Sequence, residues 1–102
     1  MNKTLYGSSA LIAALDAKEF MQRHGASLSE VLHAIAGNPG VDLYCAADGL
    51  LDGFSPDPVR VGNALRDMRD VLAEVDAPED RYSASLRWHG ARLSDLAAAL
   101  PG

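Results

Sequence analysis

The side chains of this 102-residue chain best suited to covalent chemistry are one thiol, Cys45, and three imidazoles, His24, His33 and His89. A reactive cysteine needs a base within reach, or an exposed place beside positive charge or a helix start that lowers its pKa. Cys45 instead shares strand parity with Val41 and Leu43, which predicts an inert thiol in the core, and no spacing brings a histidine to it. The histidines stand at intervals no zinc site uses, with no second cysteine to assist. Asp48-Gly49-Leu50-Leu51-Asp52-Gly53 has the composition of a calcium loop, but Leu50 stands at the third position and Val59 at the twelfth, where oxygen ligands are required. The glycines form neither a dinucleotide fingerprint nor a P-loop. Ser83 and Ser85 lack a nucleophile elbow and read as the wet parity of a strand. No catalytic, cofactor-binding or metal-ligating residue is expected, and the chain is read as non-enzymatic.

The elements around these residues follow from hydrophobic period and punctuation. A first helix from Ser9 to His24, closed by Gly25, carries Leu11, Ile12 and Leu15 on one side and Ala13, Ala17, Phe20 and Met21 on nearly the opposite side. Such a helix is buried on two sides, either within the domain or against a second chain. Ser27-Leu28-Ser29-Glu30 reads as a capping box opening a second helix from Leu28 to Ala36, which Gly37-Asn38-Pro39-Gly40 stops. Asp57 and Pro58 are a strong N-terminal signal for a third helix. Its stripe of Val61, Ala64, Leu65, Met68, Val71, Leu72 and Val75 is a core face, with Arg66, Asp70 and Glu74 on the far side.

Two alternating segments predict a sheet. Tyr82, Ala84, Leu86 and Trp88 share one parity against Arg81, Ser83, Ser85 and Arg87, and Val41, Leu43 and Cys45 alternate with Asp42, Tyr44 and Ala46. Asp48-Gly49 and His89-Gly90 read as tight turns, with Leu50 to Phe54 and Ala91 to Leu93 as the returning strands. Asp76 to Asp80 is a solvated loop, and Ser94 caps a last helix that Pro101 ends. A shift of 41 positions superposes the two helix, strand, turn and strand units. The expected fold is therefore α+β: a small antiparallel sheet of two hairpins with helices on one face, in the order α-α-β-β-α-β-β-α, in one domain over residues 1–102.

One cysteine excludes an internal disulfide, and no run approaches the roughly 18 apolar residues that span a membrane. The opening Met1 to Gly7 has one lysine and no uninterrupted apolar core before Asp16, unlike a secretory leader, so a cytoplasmic protein without membrane contact is expected. The net charge of −5 is uneven: residues 1–40 are balanced, whereas residues 41–102 set six arginines against eleven acids. That field disfavours nucleic acid and favours a protein partner with a basic surface.

Phe20 to Val41 also resembles the helix-turn-helix of the lac-repressor family, in which a glycine turn, a small apolar residue and a serine cap precede the recognition helix. Gly25, Ala26, Ser27 and Val31 match in spacing, and Asn38-Pro39 is similar to the segment after that helix. The resemblance implies a DNA-binding transcriptional regulator using residues 20–36. It departs from the family at Met21 and His24, and at Glu30, Leu32 and His33 where bases would be read; Arg23 is the segment's main phosphate-neutralising group. The leading expectation is thus a small acidic interaction module, an inhibitor, immunity or anti-defence factor or adaptor, with a second copy of the chain among the partners allowed. Its partner-binding residues are expected to be Asp70, Glu74, Glu79, Asp80, Arg87 and Trp88. No cofactor is expected.

Overall fold

The computed structural model describes residues 7–53, 56–74 and 83–101, and these are helical: α1 (Gly7–Ala36), α2 (Asn38–Leu51), α3 (Pro58–Glu74) and α4 (Ser83–Ala98). No strand lies among the described residues, so the α+β expectation is overturned. Val41 to Ala46 lies inside α2 and Ser83 to Trp88 inside α4, while the turns expected at Asp48-Gly49 and His89-Gly90 are helix interior. The duplicated hairpin unit goes with them. Arg81, Tyr82, Phe54, Val75 and the loop expected at 76–80 lie outside the described residues.

The helical period explains both segments once the window is lengthened. Leu43, Tyr44, Ala47, Leu50 and Leu51 fall at i, i+1, i+4, i+7 and i+8, and all five are buried or half-buried. On α4, Leu86, His89, Leu93, Leu96 and Ala97 follow the same rule. A helix separates i and i+2 by about 200°, so shared parity no longer means a shared face. Cys45 is accordingly exposed on the outer side of α2, correcting the core position expected for it.

α1 is continuous for 30 residues, or about 45 Å at 1.5 Å per residue. Gly25 does not end it and Ser27 does not open a new helix, which removes the turn of the helix-turn-helix reading. Gly25 is small for a different reason: the Tyr44 hydroxyl of α2 lies where its Cβ would be. The real stop is Gly37, at φ 66°, whose N–H donates to the His33 carbonyl at 2.8 Å and whose carbonyl accepts from Gly40 at 3.1 Å. This one residue closes α1 and starts α2, which then runs back along α1. At the near end of that hairpin the Leu32 carbonyl leaves no room for a Cβ on Gly40, and at the far end Leu51 lies with Lys18 and Met21.

α3 starts as its sequence predicts. The Val59 N–H donates to Asp57 Oδ1 at 3.0 Å, and Val61, Leu65, Met68 and Leu72 are buried in the common core. The end of α4 comes back to the start of α3. The carbonyl oxygen of Pro101 lies 2.9 Å from where a Cβ on Gly62 would stand. Arg66, expected on the solvent side, is instead partly buried and donates from Nη2 to the Ala97 carbonyl at 2.9 Å and the Leu100 carbonyl at 3.0 Å. α1 and α3 each pack on both remaining helices, whereas α2 and α4 do not touch.

Candidate functional site

Polar and aromatic side chains converge where the middle of α1 meets the first half of α4. Phe20, His24 and Ser27 stand at i, i+4 and i+7 on one face of α1, and Ser85, Trp88 and His89 at i, i+3 and i+4 on α4. The rings interlock edge to face. Trp88 meets His24 at 4.8 Å between centroids and 65° between planes, and His89 at 4.9 Å and 82°. Phe20 lies 6.1 Å from Trp88 in a near-stacked pose and 6.0 Å from His89 edge-on. These separations fall in the range where aromatic pairs attract beyond simple area burial.

His89 is the polar residue at the centre of this contact, only 1 % exposed, and its Nε2 lies 3.0 Å from Ser27 Oγ. Its Nδ1 is buried with no hydrogen-bond partner among the described residues. Burial, and then the neighbouring imidazole of His24, hold the ring below the ordinary histidine pKa of 6.5, so it is neutral at physiological pH. Trp88 keeps 45 % of its surface exposed. An open groove of about 460 Å³ runs beside it, lined by His24, Ser27, Ala84, Ser85, Trp88 and His89.

A serine oxygen 3.0 Å from a neutral imidazole is the spacing of a nucleophile and its base. Two features withhold the rest of that machinery. No carboxylate of the described residues meets Nδ1, and both residues lie inside helices, whose backbone amides are committed to i−4 carbonyls and cannot serve as oxyanion donors. The pair instead ties α4 to α1. Among the described residues no three His, Cys, Asp or Glu side chains are grouped to share a metal ion.

The residues expected to bind a partner are dispersed. Asp70 and Glu74 are exposed one turn apart on α3, with Asp70 Oδ1 accepting from Arg69 Nη2 at 3.0 Å. Arg87 and Trp88 adjoin in sequence but face different clefts. Arg87 borders the one between α3 and α4, with Leu72, Ala73 and Gly90, and Trp88 borders the one between α1 and α4. Glu79 and Asp80 lie outside the described residues. Sequence reasoning missed His89 and Ser27, although His89 falls three residues after Leu86 and four before Leu93, a core position once the segment is read as a helix.

The first helix is apolar on two sides as read, but it is buried on only one of them. Ala13, Ala17, Phe20 and Met21 are buried, while Leu11, Ile12 and Leu15 on the other side are 41, 57 and 46 % exposed. Together with Trp88 these are the exposed large apolar side chains among the described residues. No helix among them is long and apolar enough to cross a membrane.

No family model, curated protein or solved structure matches the chain.

Proposed function

We propose that this is a small acidic protein-interaction module, without chemistry of its own, that works in the cytoplasm by covering the surface of another protein as an inhibitor, an immunity or anti-defence factor or an adaptor. The observation that supports it is the solvent-facing ridge of Leu11, Ile12 and Leu15 on a helix whose opposite face already fills the core. Three large aliphatic side chains grouped on one turn of surface are costly to leave in water and mark a contact site more often than scattered ones do. Trp88 supplies a second anchor of the type that dominates binding energy at interfaces. The acids of residues 41–102, among them exposed Asp70 and Glu74, favour a basic rim on the partner.

The test is parallel affinity capture from the source cell with the wild-type chain and with Leu11→Ser/Leu15→Ser. Because both leucines are exposed, the double variant should keep its helical circular dichroism and lose a protein that the wild-type chain retains stoichiometrically. Retention of nucleic acid alone, or equal retention by both chains, would overturn the reading, and a retained second copy of the chain would identify the partner as itself.

A further inference from the structure

Nδ1 of His89 is buried without a hydrogen-bond partner among the described residues, while Nε2 lies 3.0 Å from Ser27 Oγ. A neutral imidazole has one donor and one acceptor, and a protonated one has two donors and a charge. With its N–H on Nε2 the neutral ring donates to Ser27 and leaves Nδ1 as a bare acceptor. A second proton would place on Nδ1 a buried donor with nothing to receive it, inside an aromatic contact that solvates charge poorly. The surroundings do not offset that cost. From α1 the ring faces His24, whose charge would disfavour a second proton, while Asp16, Glu19 and Arg23 line a separate cleft with Phe20, His24 and Arg92 of α4. From α3 the charged groups turned toward α4 are Arg66, engaged on the Ala97 and Leu100 carbonyls, and Arg69, engaged on Asp70. α2 does not reach α4.

We infer that the His89–Ser27 pair is a proton-sensitive latch, which holds the first half of α4 on α1 while the imidazole is neutral and releases it when the imidazole is protonated. Release uncovers Phe20, His24 and the inner face of Trp88, so acidification changes which aromatic surface the molecule presents. The groove beside Ser27 and Trp88 gives protons a path to the ring. The direction of the lowered pKa agrees. Once pH drops through the ordinary value of 6.5, a released ring takes up a proton that the docked ring refuses, and the docked state loses ground until the docked ring itself titrates. The latch does not depend on the identity of any partner.

The experiment is a nuclear magnetic resonance titration of the full chain from about pH 8 to pH 5, the range that brackets an ordinary imidazole. It follows the histidine rings together with amide exchange corrected for intrinsic rates. The His89 ring should titrate below 6.5. Over the same interval amides 84–90 should lose protection by about tenfold for each unit separating the docked and released pKa values, while amides 61–72 of α3 keep theirs. His89→Gln, which can still donate to Ser27 but cannot take a proton, should abolish the pH dependence. A His89 ring titrating at or above 6.5, simultaneous loss of protection in α3 and α4, or wild-type pH dependence in His89→Gln would each overturn the latch. Should the glutamine variant not fold, the ring titration and the comparison of the two segments decide it in the wild-type chain.

Discussion

Arg66 belongs to α3 and acts on α4. Its Nη2 gives a charged donor to the Ala97 carbonyl in the last turn of α4, which also accepts from the Leu100 N–H at 3.0 Å, and to the Leu100 carbonyl just beyond the helix. Arg66→Ala should therefore cost about 1 to 3 kcal/mol, read as a lower urea midpoint at unchanged m, because it deletes two charged hydrogen bonds and takes from the Leu100 carbonyl its charged donor. Leu65→Ala, in the core, sets the upper mark at about 2 to 5 kcal/mol, and Arg60→Ala, on the same helix but exposed, should stay within about 0.5 kcal/mol. An Arg66→Ala effect no larger than that of Arg60→Ala would show that the cap adds nothing. The sequence pattern sets Arg66 on the far side of the helix with Asp70 and Glu74, and so misses both its partial burial and its partner. A side chain beside a core face reaches whatever ends there, and only the tertiary fold brings the end of α4 to that point.

At the scale of the elements, three glycines separate what a helix needs from what a helix pair needs. Gly37 holds φ 66° and ψ −144°, a region essentially kept for glycine, so Gly37→Ala should be destabilising by about 1 to 3 kcal/mol. Gly40→Ala should cost about 1 to 3 kcal/mol for the opposite reason, because its Cβ would press on the Leu32 backbone and push α2 off α1. Gly49 sits inside α2 with nothing within 4 Å of its missing Cβ, so Gly49→Ala should stabilise by about 0.5 to 1 kcal/mol. Thermal unfolding of the three variants checks the order, and a destabilising Gly49→Ala would contradict a helix at that position. The same glycines explain which boundaries the sequence carried. Gly37 and the Asp57-Pro58 pair announce real ends because backbone conformation forces them, whereas Gly25, Gly49 and Gly90 look like punctuation and are helix interior. The strand expectations at 41–46 and 81–88 rested on alternation over six to eight residues. Such a window is too short to tell period 2 from the edge of a helical stripe, and the stripes through Leu50 and Leu51 and through Leu93 and Leu96 extend beyond it.

The whole molecule is elongated, 52 × 20 × 20 Å, with a long dimension little greater than the length of α1. α1 is thus a spine that presents its exposed ridge of Leu11, Ile12 and Leu15, while the net negative charge comes from residues 41–102. In an interaction built this way the ridge and Trp88 hold the complex and the charge field governs the encounter. Asp70→Lys/Glu74→Lys tests that division of labour. Each reversal moves the formal charge by two, so the pair takes the chain from −5 to −1, and both sites are exposed on the outer side of α3. The Asp70 to Arg69 contact that is lost is a surface pair, so the fold should change in stability by less than about 1 kcal/mol. Association with the protein captured through the ridge should slow several-fold at low salt with little change in dissociation, measured by surface plasmon resonance at rising ionic strength. The difference from wild type should shrink as the screening length falls to about 10 Å near 0.1 M salt. Equal association rates at every ionic strength would remove the acidic field from the recognition step and leave the apolar ridge of α1 and Trp88 to select the partner alone.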